Sequence, residues 1–105
     1  MLEFGEHDNR RLISGRVGDV FSLRLGENAS TGYRWSLDKL SPSRLELIEG
    51  AADYPKEQIG SGGEAIFRFR VVGPGTSTLS LKYWRAWEGD RSVLRRFVLK
   101  VAAGR

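Results

Sequence analysis

Trp84-Arg85-Ala86-Trp87-Glu88-Gly89 places two tryptophans and an arginine within four residues, a grouping that is hard to bury as one unit. Exposed Trp and Arg dominate binding hot spots, because a rigid ring and a planar cation give broad contact for little lost freedom. The chemistry on offer is therefore adhesion, with Trp87 as its strongest carrier. The competing account makes Trp87 a plug closing one end of the fold. A second segment, Asn28-Ala29-Ser30-Thr31-Gly32, is small and polar. Gly32 would let the backbone approach a partner closely; otherwise the segment is a plain turn in which Asn28 bonds its own backbone. Asn28-Ala29-Ser30 also matches the glycosylation sequon, a weak signal by itself. A third segment, Ile59-Gly60-Ser61-Gly62-Gly63, holds three glycines. A phosphate-binding loop would need a helix after it and a Lys-Ser or Lys-Thr pair, whereas Glu64 and an alternating apolar run follow, so no nucleotide site is expected. What remains is a backbone-exposing loop with Ile59 at its entrance, or a linker with Ile59 folded onto the core.

Bond-making chemistry has little to work with. The 105 residues contain no cysteine and a single histidine, His7. Disulfides, thiolate zinc sites and a cysteine nucleophile are excluded, as is any multi-histidine metal site. A catalytic triad would have to pair His7 with a serine and an acid such as Asp8, next to a chain terminus where such groupings are usually incidental. No metal and no cofactor are expected.

Something must hold those segments, and period-two alternation of apolar residues supplies it. Phe21, Leu23 and Leu25 form one face of a strand; Tyr33, Trp35 and Leu37 another; Ala65, Phe67, Phe69 and Val71 the strongest; then Leu79, Leu81 and Tyr83, and finally Phe97, Leu99 and Val101. Leu45 and Leu47 mark a shorter strand suited to an edge, and Leu12 and Ile13 one that opens the fold. By this alternation Trp35 belongs to the core and Trp84 faces solvent. Turn residues at 16–19, 27–32, 41–43, 60–63, 73–75 and 88–90 separate these runs. About seven short strands in a chain of this length read as one all-β domain over residues 1–105, an antiparallel sandwich or a small barrel. In a sandwich, alternate connections emerge at the same end, so the three segments can share one surface.

The net charge of +4 is uneven: residues 1–64 carry 8 basic and 11 acidic side chains, residues 65–105 carry 9 basic and 2 acidic. A basic second half admits nucleic acid or an acidic protein as partner. Phe67-Arg68-Phe69-Arg70 with Lys82, Arg95 and Arg96 could make a module for single-stranded nucleic acid. Parity opposes this, since Phe67 and Phe69 fall on the face opposite Arg68 and Arg70. A sandwich that uses its loops on some other protein is the further alternative. No apolar run approaches the ~20 residues of a membrane span, and the N-terminal stretch lacks a signal peptide's apolar core. The expected location is cytoplasmic, unless the chain is the processed form of an exported protein.

The three segments together resemble the chagasin family of protein inhibitors of papain-like cysteine proteases. Residues 28–35, Asn-Ala-Ser-Thr-Gly-Tyr-Arg-Trp, are similar to the family's Asn-Pro-Thr-Thr-Gly-Tyr-x-Trp signature. Gly60-Ser61-Gly62-Gly63 resembles its Gly-x-Gly-Gly loop, and Arg85-Ala86-Trp87-Glu88 its Arg-Pro-Trp-Glu loop. The likeness in order and spacing runs from about Gly18 to Val101. It implies an immunoglobulin-like sandwich whose loops enter the protease cleft, without an enzymatic activity of its own. Thr31 and Gly32 would sit beside the catalytic Cys and His, Ile59, Gly60, Ser61 and Gly62 would run along the substrate groove, Arg85 and Trp87 would hold the leaving-group side, and Asn28, Ser30 and Gly63 would belong to the same protease-binding surface. With no reactive group in the chain, inhibition would be reversible occlusion by a monomer, with neither nucleic acid nor membrane as partner. Ala29 and Ala86 stand where the family pattern has proline, and Ser30 where it has threonine. Losing a pre-ordering proline costs up to about 1 kcal/mol.

Overall fold

The computed structural model describes residues 2–28, 31–53 and 63–104, the side chains of 51–53 excepted. Among the described residues eight strands run in chain order: β1 (Leu2–Phe4), β2 (Leu12–Arg16), β3 (Val20–Glu27), β4 (Arg34–Lys39), β5 (Leu45–Asp53), β6 (Gly63–Val71), β7 (Gly75–Trp84) and β8 (Arg95–Gly104). They form two four-stranded sheets, β1-β3-β6-β5 and β2-β8-β7-β4, packed as a sandwich.

The alternating runs meet face to face, as the pleat requires. Phe21, Leu23, Leu25, Leu45, Ala65, Phe67, Phe69 and Val71 come from the first sheet, and Ile13, Trp35, Leu79, Leu81, Phe97, Leu99 and Val101 from the second. Phe21 and Phe69 stack at 5.3 Å between ring centres. Each fully buried Phe or Leu stabilises the fold by about 1.5–3 kcal/mol relative to exposure, so the loops spring from a rigid platform.

Two features depart from the expected seven antiparallel strands. β1 is an additional strand, and both N-terminal strands pair in parallel, β1 with β3 and β2 with β8. β1 is only three residues long and largely exposed, so it shows no alternation. The parallel sense arises because the chain leaves β1, turns through a one-turn 3-10 helix at Glu6–Asp8 and joins the other sheet as β2. β5 does lie at a sheet edge, but it extends to Asp53, and a bulge between Leu47 and Glu49 breaks its alternation, leaving Leu47 and Ile48 exposed.

Register places the candidate segments. Glu27 pairs with Gly63, Glu64 with Asp53, Arg34 with Trp84 and Tyr83 with Arg95. The segments at 28–33 and 85–94, and both flanks of the one between Asp53 and Gly63, therefore lie at one end of the sandwich.

Candidate functional site

Loop 1, residues 28–33, is closed at its base by side chains that the core holds still. Glu27, only 5% exposed, accepts the backbone N–H of Trp35 at 2.8 Å, and the Trp35 indole N–H donates to the Gly26 carbonyl at 2.9 Å. Trp35 is thus both a core residue, 6% exposed, and a strap across the loop mouth. The Asn28 N–H donates to the Tyr83 hydroxyl at 3.2 Å. Nearer the tip, the Thr31 N–H and hydroxyl both donate to the Asn28 carbonyl, at 3.3 and 2.8 Å. Gly32 follows at φ +80°, in the left-handed region that other residues enter only with strain.

Loop 3, residues 85–94, joins β7 to β8 through two single-turn 3-10 helices, Ala86–Glu88 and Asp90–Ser92. Ser92 is its internal staple: the buried Oγ accepts the Arg85 N–H at 3.0 Å and lies 2.7 Å from the Gly89 carbonyl. Lys82 fixes the outer limb, bonding Asp90 at 2.9 Å while its ammonium sits 3.6 Å above the Trp84 ring. The Lys82 hydrogen bond and charge hold the Asp90 carboxyl below the usual carboxylate range.

Arg85 locks the two loops together. Its Nε and Nη2 donate to the Thr31 carbonyl at 3.1 and 2.9 Å, its guanidinium lies 4.4 Å above the Tyr33 ring, and Nη1 reaches Glu88 at 3.4 Å. Tyr33, Tyr83 and Trp35 continue inward as a tilted stack at 5.6 and 5.1 Å. Trp87 closes over Gly32: a Cβ built on Gly32 would come within 2.7 Å of Trp87 Cη2. The indole is nonetheless 72% exposed, which forgoes on the order of 2 kcal/mol of burial. The result is a projection of glycine backbone and exposed aromatic surface held by Arg85.

Of the residues singled out from sequence, Thr31, Gly32, Arg85 and Trp87 come together at this tip. Asn28 lies beneath them at the loop base, and Gly63 opens β6 opposite Glu27. Ser30, Ile59, Gly60, Ser61 and Gly62, with Ala29, lie outside the described residues. Trp84 lies on the outer face of β7, as its alternation places it, but is half-covered there, capped by Lys82 and donating its indole N–H to Ser36 at 3.0 Å. Sequence reasoning missed the supports Glu27, Tyr83 and Ser92, whose partners are set by tertiary register. The imagined pairing of His7 with Asp8 has no support, since the Asp8 carboxylate bonds the Gly5 N–H at 2.9 Å and the Arg11 guanidinium.

The family model described as chagasin family peptidase inhibitor I42 matches residues 14–101. Amoebiasin-2 of Entamoeba histolytica is 27% identical over 100 residues, covering 91% of this chain and 80% of its own. The crystal structure of a cysteine protease inhibitor from Entamoeba histolytica superposes with a TM-score of 0.85 at 20% identity, over 98% of this chain and 94% of that one. PbICP-C, solved in complex with falcipain-2, shares the fold with a TM-score of 0.71 at 13% identity, over 99% and 100% of the two chains. With the family match running from β2 to β8 and taking in both described loops, this chain belongs to the chagasin family of peptidase inhibitors and is not an enzyme.

Proposed function

We propose that this protein is a reversible inhibitor of papain-like cysteine proteases and that Thr31, Gly32, Arg85 and Trp87 form the described part of the wedge that fills the protease cleft. One observation carries the reading: an indole left in water is locked beside a side-chain-free backbone by the guanidinium of Arg85. Thr31 and Arg85 are already tied to each other within the chain, so docking this part of the tip costs little further chain entropy. Gly32 offers backbone without bulk for the narrow part of a cleft, and Trp87 supplies apolar area beside it. Relatives described as a cysteine protease inhibitor and as a complex with falcipain-2 support this class of target. The segment between Asp53 and Gly63, which leaves the same end, completes the proposed wedge with Ile59 to Gly62.

The same geometry accounts for an inhibitor that is not consumed. Hydrolysis at Thr31–Gly32 would require the Thr31 carbonyl oxygen to enter an oxyanion hole. In this chain two N–H groups of Arg85 already hold that oxygen. With no cysteine in the chain, no covalent trap forms from its side either, and occlusion is the mechanism left.

Steady-state inhibition of papain and of a cathepsin L-like protease tests this. The expected result is nanomolar, competitive and reversible inhibition, with the inhibitor recovered uncut. Folded protein without effect on either enzyme at micromolar concentration would overturn the reading.

A further inference from the structure

Residues 2–11 precede the family match, which starts at residue 14, yet they reach the loop end of the sandwich. β1 pairs with β3 through Phe4 and Leu23, and beyond that point no strand of the described residues lies beside the β3 edge. Glu6 takes its place. Its Oε1 accepts the Gly26 N–H at 3.1 Å and an Arg95 Nη2 proton at 3.0 Å. Gly26 belongs to one sheet and Arg95 to the other, so one carboxylate oxygen ties the two sheets where loops 1 and 3 leave them.

The segment presenting Glu6 is fastened on both sides. Before it lies the β1–β3 pairing. After it, Asn9 Oδ1 accepts the Val98 N–H at 2.9 Å, the Arg10 N–H donates to the Val98 carbonyl at 2.7 Å, and the Lys100 N–H donates to the Arg11 carbonyl at 3.0 Å. The groups Glu6 touches lead directly to the loop supports. Gly26 passes its carbonyl to the Trp35 indole. The Arg95 guanidinium lies 5.4 and 5.7 Å from the ring centres of Trp35 and Tyr83, and the Tyr83 hydroxyl holds the Asn28 N–H.

From this geometry we infer that Glu6 is a positioning residue for inhibition: the N-terminal segment braces the two sheets through Gly26 and Arg95 and so sets the base of loop 1. The inference rests on the inhibitor reading for its effect on inhibition, but the brace itself can be read without a protease. The test compares the full chain with Glu6→Ala, Glu6→Gln, Arg95→Ala and the Glu6→Ala/Arg95→Ala pair. Inhibition of papain is measured beside hydrogen exchange of the Asn28 amide and the Trp35 indole N–H in free protein. Glu6→Ala should raise the inhibition constant about fivefold, as expected for losing a partly exposed, charge-assisted pair of hydrogen bonds. Exchange at both reporters should quicken, with the melting temperature nearly unchanged. Glu6→Gln keeps an acceptor oxygen and should recover most of the loss, and the double variant should be no weaker than the worse single one. Unchanged exchange and unchanged inhibition in Glu6→Ala would overturn the inference. So would exchange raised equally at core amides such as Leu99, which marks a general loss of stability. If the wild-type chain fails to inhibit, the inhibitor reading falls and the exchange data alone decide whether the brace exists.

Discussion

Arginines lie next to aromatics in two regions of this molecule, and the two use them in opposite ways. On the outer face of the β1-β3-β6-β5 sheet, Arg24, Arg68 and Arg70 each meet a carboxylate of a neighbouring strand: Glu64 at 3.5 Å, Glu49 at 3.4 Å and Glu46 at 3.6 Å. The aromatics between them in sequence, Phe67 and Phe69, point inward and are buried. At the loop end, Arg85 instead grips a backbone carbonyl and a tyrosine face, while Trp87 stays in solvent. Strand periodicity hides the rings and lines up counter-charges, so the sheet face is satisfied within the chain. Where periodicity stops, the cation organises backbone and the ring stays exposed, free for the partner proposed above. Richness in Arg and aromatics does not by itself mark a binding surface; the phase of the two does.

Trp87→Ala should sharpen that contrast most. Removing a central exposed aromatic should cost about 2 kcal/mol of binding, roughly thirtyfold in the inhibition constant. The melting temperature should hold, because a side chain 72% exposed contributes little to the core. Equal losses of stability and inhibition, read from thermal denaturation and papain kinetics together, would make Trp87 a structural plug and erase the distinction. Gly32→Ala comes next. At φ +80°, with a new Cβ 2.7 Å from Trp87 Cη2, the tip must strain or push the indole aside, at about 1–2 kcal/mol. That predicts a roughly tenfold weaker inhibitor; wild-type inhibition by this variant would deny that the tip is tightly set.

The core was legible because its signal is local. Phe21, Leu23 and Leu25, or Phe97, Leu99 and Val101, declare their face by spacing alone, and the structure buries all six. The loop residues were legible through the opposite signal, as side chains that no strand accounts for. What could not be read depends on partners far apart in sequence: Arg85 on the Thr31 carbonyl across 54 residues, Tyr83 on the Asn28 N–H across 55, Arg95 on Glu6 across 89. The direction of β1 and β2 was hidden likewise, since alternation has the same pattern in parallel and antiparallel pairs. Alternation assigned Trp84 its outer face but could not say what covers it there, and Lys82 does.

The sheet face should be quiet under the same assays. Replacing Arg68 and Arg70 together with glutamine should leave papain inhibition unchanged and cost no more than about 0.5 kcal/mol per site, the usual worth of exposed ion pairs. Titration with a labelled single-stranded oligonucleotide at physiological salt should show no tight binding. Nanomolar binding abolished by the double substitution would give this face a function and undo the comparison.

The smallest effect belongs to the turn that presents Glu6. The Asp8 carboxyl lies below its usual 3.8, chiefly because the Gly5 N–H donates to it, with Arg11 adding a hydrogen bond and charge. A carboxylate held lower in the folded state adds stability above its unfolded pKa and loses that contribution as pH falls through the folded one. Asp8→Asn should therefore melt slightly below wild type at neutral pH, by a difference of order 0.5 kcal/mol once solvent screening of Arg11 is allowed for. The gap should close on acidification from 3.8 downward, as wild-type Asp8 also loses its charge. Because this turn also carries Glu6, exchange at Asn28 should quicken in Asp8→Asn at neutral pH, whereas amides of β5 and β6 under the sheet-face arginines should not respond. A gap in melting temperature that persists unchanged into acid would mean that the charge of Asp8 is not what holds the turn.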